Sequence, residues 1–249
     1  MAQVHPRMLC EAMFEKSGAA LVAGEVTGPE RDASGKLIGA RLSSGDVVPC
    51  DALLFCCGPW TDPKVMLGTD AAGAEAMQMY GVKYHSAVVP TPGGPEASLS
   101  QAIFFDGCGD PEVYPRPDGT AYCTGFPDDA IAVTERPGEE EVRPDSIAKI
   151  LSAVRAASSG GGGPSSASSA LSAAPTEEQA CYLPTTTDGL PMMGGVPGQK
   201  GCYVAAGHSC WGILMGPASG EAMAGLVASG GRESGGVNLW PFDPARLIS

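Results

Sequence analysis

The sequence is short of positive charge, metal-ligand patterns and long apolar runs. It has 15 Lys and Arg against 28 Asp and Glu among 249 residues, a formal net charge of −13. This charge would repel a phosphate backbone, so we expect no nucleic-acid partner. The longest strongly apolar run, residues 52–57, is far too short to span a bilayer, so we expect no membrane partner. The three histidines show no ligand spacing with the cysteines, so no metal site is predicted.

The nine cysteines form no C-x-x-C pair, and their number is odd. Most stand among apolar residues, so we expect buried, reduced thiols, as in a cytoplasmic protein. Residues 1–20 have the pattern of an amphipathic helix with acidic residues. They do not have the pattern of a targeting peptide, so the predicted location is cytoplasmic.

The hydrophobic pattern predicts a mixed α/β (α+β) fold. A helix should begin at His5-Pro6 and end at Gly18. Strands are predicted at residues 20–26, 37–42, 47–48, 52–57, 82–89, 102–105, 113–114, 121–123, 181–183 and 202–205, with a polar turn at 28–35. Helices are predicted at 145–156 and at 217–229, and residues 207–216 are a glycine-punctuated loop. The Gly/Ser/Ala-rich residues 157–175 are expected to form a flexible insert.

Two stretches carry the chemistry. In the first, a short apolar strand ends in Gly58-Pro59-Trp60. The second contains Thr-Thr-Asp-Gly-Leu-Pro-Met-Met-Gly at residues 186–194, then Gly207-His208 and a helix predicted to start near Pro217. Glycine at a strand end lets the backbone approach a ligand closely. The helix start would offer free N–H groups and a partial positive charge to an anion.

These motifs, in this order, resemble those of the D-amino-acid-oxidase-like flavoproteins, a family that includes glycine and sarcosine oxidases. The resemblance implies FAD as cofactor and a Rossmann-like FAD-binding domain formed by residues 1–62 and 185–249. An antiparallel-sheet substrate domain, residues 63–184, would be inserted between them. The string Gly-His-Ser-Cys-Trp-Gly-Ile at 207–213 looks like a fungal and plant branch of oxidoreductases in that family.

The resemblance also implies site residues, although no catalytic residue can be named. The predicted cofactor-binding residues are Val26, Gly58, Pro59, Trp60, Asp188, Gly189, Gly194, Gly207, His208, Ser209, Cys210, Trp211, Gly212 and Ile213. The predicted substrate-binding residues are Arg116, Tyr84 and His85. Tyr84 and His85 are neighbours on one strand and point to opposite faces, so at most one of them reaches a pocket. Each of these residues also has a purely structural interpretation: packing for the tryptophans, Tyr84 and His85, and a solvated hairpin tip for Arg116.

Two departures from the family pattern stand out. The family begins with a strand, a G-x-G-x-x-G turn and a helix that hold the FAD pyrophosphate, and no segment here matches it. We therefore expect this chain to be the C-terminal part of such a protein, with an incomplete FAD-binding domain. The second departure is Leu183, which stands where amino-acid oxidases of the family have an arginine that binds the substrate carboxylate.

The predicted activity is that of an FAD-dependent oxidoreductase which oxidises a C–N bond of a small amine or amino-acid derivative by hydride transfer to the flavin. An alternative is a non-catalytic remnant or interaction module that no longer binds FAD. A third hypothesis is a thiol enzyme that uses Cys210 beside His208.

Overall fold

A computed structural model describes residues 4–68, 73–97, 101–158, 171–231 and 234–248. The chain divides into two compact units. The terminal unit comprises residues 1–81 and 183–249, and the inserted unit comprises residues 82–182. Most of the predicted flexible insert, residues 159–170, lies outside the described residues.

The described part of the chain has a mixed α/β fold. Its helices are α1 (Pro6–Ser17), α2 (Pro63–Leu67), α3 (Pro144–Ser158) and α4 (Gly212–Ala228). Its strands are β1 (Val26–Arg31), β2 (Leu37–Leu42), β3 (Val47–Pro49), β4 (Leu53–Phe55), β5 (Tyr80–Pro90), β6 (Ile103–Phe104), β7 (Glu112–Pro115), β8 (Thr120–Gly125), β9 (Ala130–Ile131), β10 (Glu177–Thr185), β11 (Met192–Gly195) and β12 (Cys202–Ala206).

The terminal unit contains two three-stranded sheets. One is the antiparallel meander β1-β2-β3. The other has the order β11-β12-β4, in which β12 runs antiparallel to β11 and parallel to β4. Helix α4 packs against this second sheet through Ala222 and Met223, which lie in a cluster with Met193 and Tyr203. A second, methionine-rich cluster contains Met66, Met77, Met79 and Met192 together with Phe55 and Val204.

The first strand of the meander differs from the prediction. The structure places β1 at Val26–Arg31, whereas the sequence predicts a strand at 20–26 and a turn at 28–35. Gly28 and Pro29 predict a turn because both residue types are common in turns. Here β1 is at the edge of its sheet, where a proline is tolerated, and its register shifts between Val26 and Gly28.

The inserted unit is an antiparallel sheet covered on one face by α3. Strands follow the order β10-β5-β8-β7-β6, and β9 also pairs with β5. The helix buries Ile147, Ile150, Leu151 and Val154, the spacing expected of one helical face. These side chains pack on a sheet face formed by Ala87, Val89, Val113, Ala121 and Cys123. Leu171, which belongs to the predicted flexible insert, is buried in the same core.

The prediction that the cysteines are buried is wrong for most of them. All nine are free thiols, but only Cys123 and Cys202 are buried, Cys50 is intermediate and the other six are exposed. Apolar neighbours in sequence did not ensure burial, because several of these cysteines lie in elements with an exposed surface. Cys10, for example, belongs to α1, which has no buried residue.

None of the helices in the described part of the chain combines the length and the apolar composition needed to cross a bilayer. Over the same residues, no group of three or more His, Cys, Asp or Glu side chains is placed to hold a metal ion.

Candidate cofactor and substrate sites

The carboxyl ends of β4 and β12 bring two of the predicted glycines to one edge of the sheet. The strands are parallel, and Val204 pairs with Phe55. Gly58 comes three positions after Phe55, and Gly207 comes three positions after Val204. Both glycines therefore lie where the chain leaves the sheet, at the same edge. Both have left-handed backbone, with φ of +55° at Gly58 and +86° at Gly207. Carboxyl ends of parallel strands are the usual position for a nucleotide-type ligand.

The surroundings of these two glycines differ. A Cβ on Gly207 would lie 3.0 Å from Thr186 Cγ2 and 3.5 Å from Pro191 Cα, so close packing and the left-handed backbone both favour a glycine there. A Cβ on Gly58 would meet no atom within 4 Å, so open space lies in front of that backbone. Pro59 and Trp60 follow Gly58 in one turn of 3-10 helix.

The turn after Gly207 is strained and then becomes helical. Ser209 has φ of +50°, an uncommon value for a residue with a side chain. His208 Nε2 lies 2.9 Å from Ser219 Oγ, and burial lowers the pKa of the imidazole. Among the described contacts no hydrogen bond joins His208 to Cys210, which is exposed. The pairing that a thiol enzyme would need is therefore not formed here.

Helix α4 begins at Gly212, and the prediction that it begins near Pro217 is wrong. A 3-10 turn at Ser209–Trp211 leads directly into it, and Pro217 lies inside the helix. Proline removes one backbone hydrogen bond, and the helix nevertheless continues through Pro217 to Ala228. No side chain caps the helix start, which carries the partial positive charge of a helix N-terminus. Large apolar side chains are exposed around this start: Trp211, Ile213, Leu214 and Met215.

A hydrogen-bonded turn links residues 186–191 to the C-terminal segment. The hydroxyl of Thr186 lies 2.9 Å from Asp188 Oδ1, and the Leu190 N–H donates to the same oxygen at 3.1 Å. Arg246 donates to Asp188 Oδ2 at 2.7 Å and to Oδ1 at 3.0 Å. The hydrogen bond from Arg246 is the main reason that the pKa of Asp188 falls from 3.8 to about 2. Gly189 lies in this turn with φ of +73°.

The remaining predicted cofactor residues of the terminal unit lie further into the fold. Gly194 pairs with Val204 inside the sheet, and a Cβ on it would lie 2.9 Å from Pro244 Cδ. Packing against Pro244 therefore accounts for a glycine at this position. Val26 starts β1 and packs against the methionine-rich cluster.

In the inserted unit, the sheet face opposite α3 carries a row of aromatic rings. We call Phe104, Tyr114 and Tyr122 the aromatic row. The ring centroids of Phe104 and Tyr114 are 5.4 Å apart in an edge-to-face arrangement, and those of Tyr114 and Tyr122 are 6.2 Å apart. The Arg116 guanidinium carbon lies 5.2 Å from the centroid of Tyr122. Arg116 is half-buried and folds over this ring, so it is more than a solvated hairpin tip.

Tyr84 and His85 take opposite faces of β5, as strand geometry requires. Tyr84 shares the face of the aromatic row, because Val88 pairs with Tyr122 and alternate residues of β5 share a face. His85 is 1% exposed and points to the face covered by α3. Burial, and then the charges of Arg143 and Lys83, lower the pKa of this imidazole.

Comparison with known proteins agrees with this geometry. The sequence profile of the FAD dependent oxidoreductase (DAO) family matches residues 1–226. The chain belongs to this family. A protein of Schizosaccharomyces pombe named as an oxidoreductase is 27% identical over 267 residues, which cover 97% of this chain and 63% of that protein. This match confirms the family that the three motifs predict, and FAD is the cofactor on which the family depends.

Solved structures give the same fold. Glycine oxidase from Geobacillus kaustophilus matches with a TM-score of 0.67 and 25% identity, covering 93% of this chain and 55% of the oxidase. Iminodiacetate oxidase from Chelativorans matches in fold, with a TM-score of 0.69 and 19% identity over 96% of this chain and 58% of that enzyme. The chain thus spans a little over half the length of these oxidases and 63% of the yeast relative.

Sequence reasoning missed several residues of these sites. Arg246 stands 58 positions from Asp188, and no local pattern connects them. Ser219, the partner of His208, looked like one of many small residues in a helix. Two rings of the aromatic row could have been predicted from the sequence, because strand alternation and the hairpin turn between β7 and β8 place Tyr114 opposite Tyr122.

Proposed function

We propose that this chain forms the flavin-facing part of an FAD-dependent oxidoreductase that oxidises a C–N bond of an amine or amino-acid derivative. The observation that carries the proposal is the sheet edge where Gly58 and Gly207 follow paired, parallel strands at equal positions. Space is open at Gly58, and an uncapped helix start with exposed apolar residues follows Gly207. The named substrates of the similar oxidases, glycine and iminodiacetate, support the choice of a C–N bond.

The residues present fit a flavin in two respects. The exposed apolar side chains at the start of α4 suit a flat, largely apolar ring, and the helix start suits the negative charge of a reduced one. When bound, FAD would accept a hydride from the substrate carbon, so the protein needs no nucleophile of its own. The chain would contribute backbone N–H groups, orientation of the substrate and exclusion of water.

The proposed cofactor residues are those at this edge and in its adjoining turn. They are the predicted set given above, of which Gly58, Pro59, Trp60, Gly207, His208, Ser209, Cys210, Trp211, Gly212 and Ile213 lie along the two connections that leave the edge. A structural role is enough to explain Asp188 and Gly194, because Asp188 is bonded to Arg246 and Pro244 packs against Gly194.

Uptake of FAD by the purified chain tests the proposal, with two glycine variants for comparison. Gly58→Ala and Gly45→Ala both add a Cβ to left-handed backbone, with φ of +55° and +91°, and neither Cβ meets an atom within 4 Å. Both should cost similar stability. If Gly58 faces the flavin, only Gly58→Ala should weaken FAD binding, by about 10-fold or more.

Absorption of the bound flavin measures FAD uptake. Loss of that absorption when an amine is added in the absence of molecular oxygen measures reduction of the flavin. Equal FAD affinities in the two variants would place the cofactor elsewhere. A colourless chain that takes up no FAD would contradict the proposal and favour a non-catalytic remnant or interaction module.

A further inference from the structure

The C-terminal segment holds the side chain of Arg246 in one position. The guanidinium donates to the carbonyl oxygens of Phe242 at 2.9 Å and of Asp243 at 3.1 Å. The Asp243 carboxylate in turn accepts a hydrogen bond from the Ala245 N–H at 2.8 Å. Leu247, the next residue, packs against the methionine-rich cluster. Because its own segment already fixes the guanidinium, Arg246 loses little side-chain freedom when it binds a second segment.

That second segment is the turn at residues 186–191. Arg246 donates to both carboxylate oxygens of Asp188, at 2.7 and 3.0 Å, and to the carbonyl oxygen of Leu190 at 2.7 Å. The hydrogen bond from Arg246 is the main cause that lowers the pKa of Asp188 to about 2, so the carboxylate is charged at neutral pH. Two parallel bonds between a guanidinium and a carboxylate fix their orientation as well as their distance.

Thr186 connects the Asp188–Arg246 pair to Gly207. The Thr186 hydroxyl lies 2.9 Å from Asp188 Oδ1 and 2.7 Å from the Leu190 carbonyl oxygen, and these contacts fix the rotation of the side chain. Its methyl group then lies against Gly207, where a Cβ would come within 3.0 Å of it. Thr186 is 3% exposed, so close packing leaves it little room to move away. A continuous set of contacts therefore leads from the C-terminal segment to the cofactor edge.

The turn that begins at Gly207 depends on such support. Gly207 has left-handed backbone, and Ser209 has φ of +50° although it carries a side chain. Backbone in these sparsely populated regions persists only where the surrounding structure fixes it. Ser219 of α4 supports this turn through His208, with 2.9 Å between Ser219 Oγ and His208 Nε2. Thr186 supports it at Gly207, the residue where the chain leaves the sheet.

We infer that the Asp188–Arg246 pair positions the cofactor edge: by fixing Thr186 it fixes Gly207, and with Gly207 the turn that leads into α4. The inference rests on the proposed function, because this turn affects the flavin only if it faces the flavin. Asp188 and Arg246 act here as positioning residues, and neither has to touch the cofactor. Loss of the pair should therefore weaken FAD binding as well as the stability of the terminal unit.

A double-mutant cycle in the whole chain measures whether the pair acts on Gly207. Gly207→Ala places a Cβ against Thr186, and this contact should cost less once Arg246→Ala has released the turn that holds Thr186. We expect the shift in the urea midpoint caused by Gly207→Ala to be smaller by about half in the Arg246→Ala background. A role of Arg246 in stability alone would lower both midpoints and leave this shift unchanged.

Arg31→Ala is the matched control. Arg31 also joins distant parts of the terminal unit, because its guanidinium donates to the Lys200 carbonyl oxygen and to Gln199 Oε1, both at 3.0 Å. These contacts lie just before the amino end of β12, whereas Gly207 follows its carboxyl end. The midpoint shift caused by Gly207→Ala should therefore be the same in the Arg31→Ala background as in the unchanged chain.

Titration of the same variants with FAD measures the consequence for the cofactor. Arg246→Ala should bind FAD about 10-fold more weakly than the unchanged chain, and Arg31→Ala should bind it equally well. Circular dichroism establishes that each variant is folded. If Arg246→Ala does not fold, Asp188→Asn replaces it in both experiments, because it removes the charge that Arg246 binds and keeps an oxygen for the Leu190 N–H.

Additive effects of Gly207→Ala and Arg246→Ala would overturn the inference, as would equal FAD affinities in Arg246→Ala and Arg31→Ala. The proposed function can fail separately. FAD binding by the unchanged chain together with additive effects would keep the oxidoreductase and remove the positioning role. Coupling in a chain that takes up no FAD would remove the oxidoreductase, and the role of the pair toward the cofactor with it, and leave a structural link between Arg246 and Gly207.

Discussion

Replacement of Arg246 by alanine should destabilise the terminal unit in a way that depends on pH. Arg246 is 18% exposed and bridges segments far apart in the chain. Besides the two hydrogen bonds to Asp188, it donates to the carbonyl oxygens of Leu190 at 2.7 Å, Phe242 at 2.9 Å and Asp243 at 3.1 Å. Its removal would leave the Asp188 carboxylate with the Thr186 hydroxyl and the Leu190 N–H as partners.

The magnitude follows from the exposure of the pair. Hydrogen bonds to charged groups contribute about 1.5–3 kcal/mol, but the Asp188 side chain is 35% exposed and therefore partly screened by solvent. We expect Arg246→Ala to lower the free energy of unfolding by about 1–2 kcal/mol near neutral pH. Because the pKa of Asp188 is depressed to about 2 in the folded chain, this contribution is present above its ordinary value of 3.8 and is lost as the pH falls from there toward 2.

Urea unfolding followed by tryptophan fluorescence measures this effect in the correct unit, since all three tryptophans, Trp60, Trp211 and Trp240, belong to the terminal unit. Arg7→Ala is the control, because the Arg7–Glu11 pair is 80% and 61% exposed and should contribute less than about 0.5 kcal/mol. Similar losses in the two variants would refute the reasoning. So would a loss in Arg246→Ala that stays constant as the pH is lowered from about 5 to about 3.

Two further substitutions test the packing. Burial depresses the pKa of His85 below its ordinary 6.5, so its contribution to stability is present above pH 6.5 and is lost as the pH falls below that value. His85→Leu should remove this pH dependence of the unfolding free energy, measured by urea unfolding followed by circular dichroism. An unchanged dependence on pH would contradict the buried, neutral state of His85. Both Gly207→Ala and Gly45→Ala place a Cβ on left-handed backbone, but only the Cβ at position 207 would also contact Thr186. Gly207→Ala should therefore lower the unfolding free energy by about 1 kcal/mol more than Gly45→Ala does. Equal losses would show that the contact with Thr186 relaxes freely.

Local patterns predicted the inserted unit well because its main elements are specified by neighbours in sequence. The four apolar side chains of α3 repeat with helical spacing and are all buried. The turn at 115–119 sets the register of β7 and β8, in which Val113 pairs with Cys123 and Tyr114 with Tyr122. Two of the three rings of the aromatic row follow from that register alone.

Predictions failed where tertiary packing outweighed local preference. The sequence predicts element boundaries at Gly28-Pro29 and at Pro217, yet Pro29 lies in an edge strand and Pro217 inside a helix. The partner of Asp188 could not be predicted either, because Arg246 comes from a segment that packs beside it only after folding. A hydrophobic period describes one element at a time and carries no information on such contacts.

The three glycines that first suggested a flavoprotein have different physical reasons to be glycine. At Gly207 and Gly194 a Cβ would press on Thr186 and on Pro244, so close packing in the fold favours glycine there. These two contacts and the Asp188–Arg246 pair join the later motifs into one packed cluster, which explains why they occur together whether or not a cofactor is bound. Gly58 has no such neighbour and still adopts left-handed backbone. The case for a ligand against this edge therefore depends most on Gly58, which is why the comparison of Gly58→Ala with Gly45→Ala is the sharpest test of the flavin site.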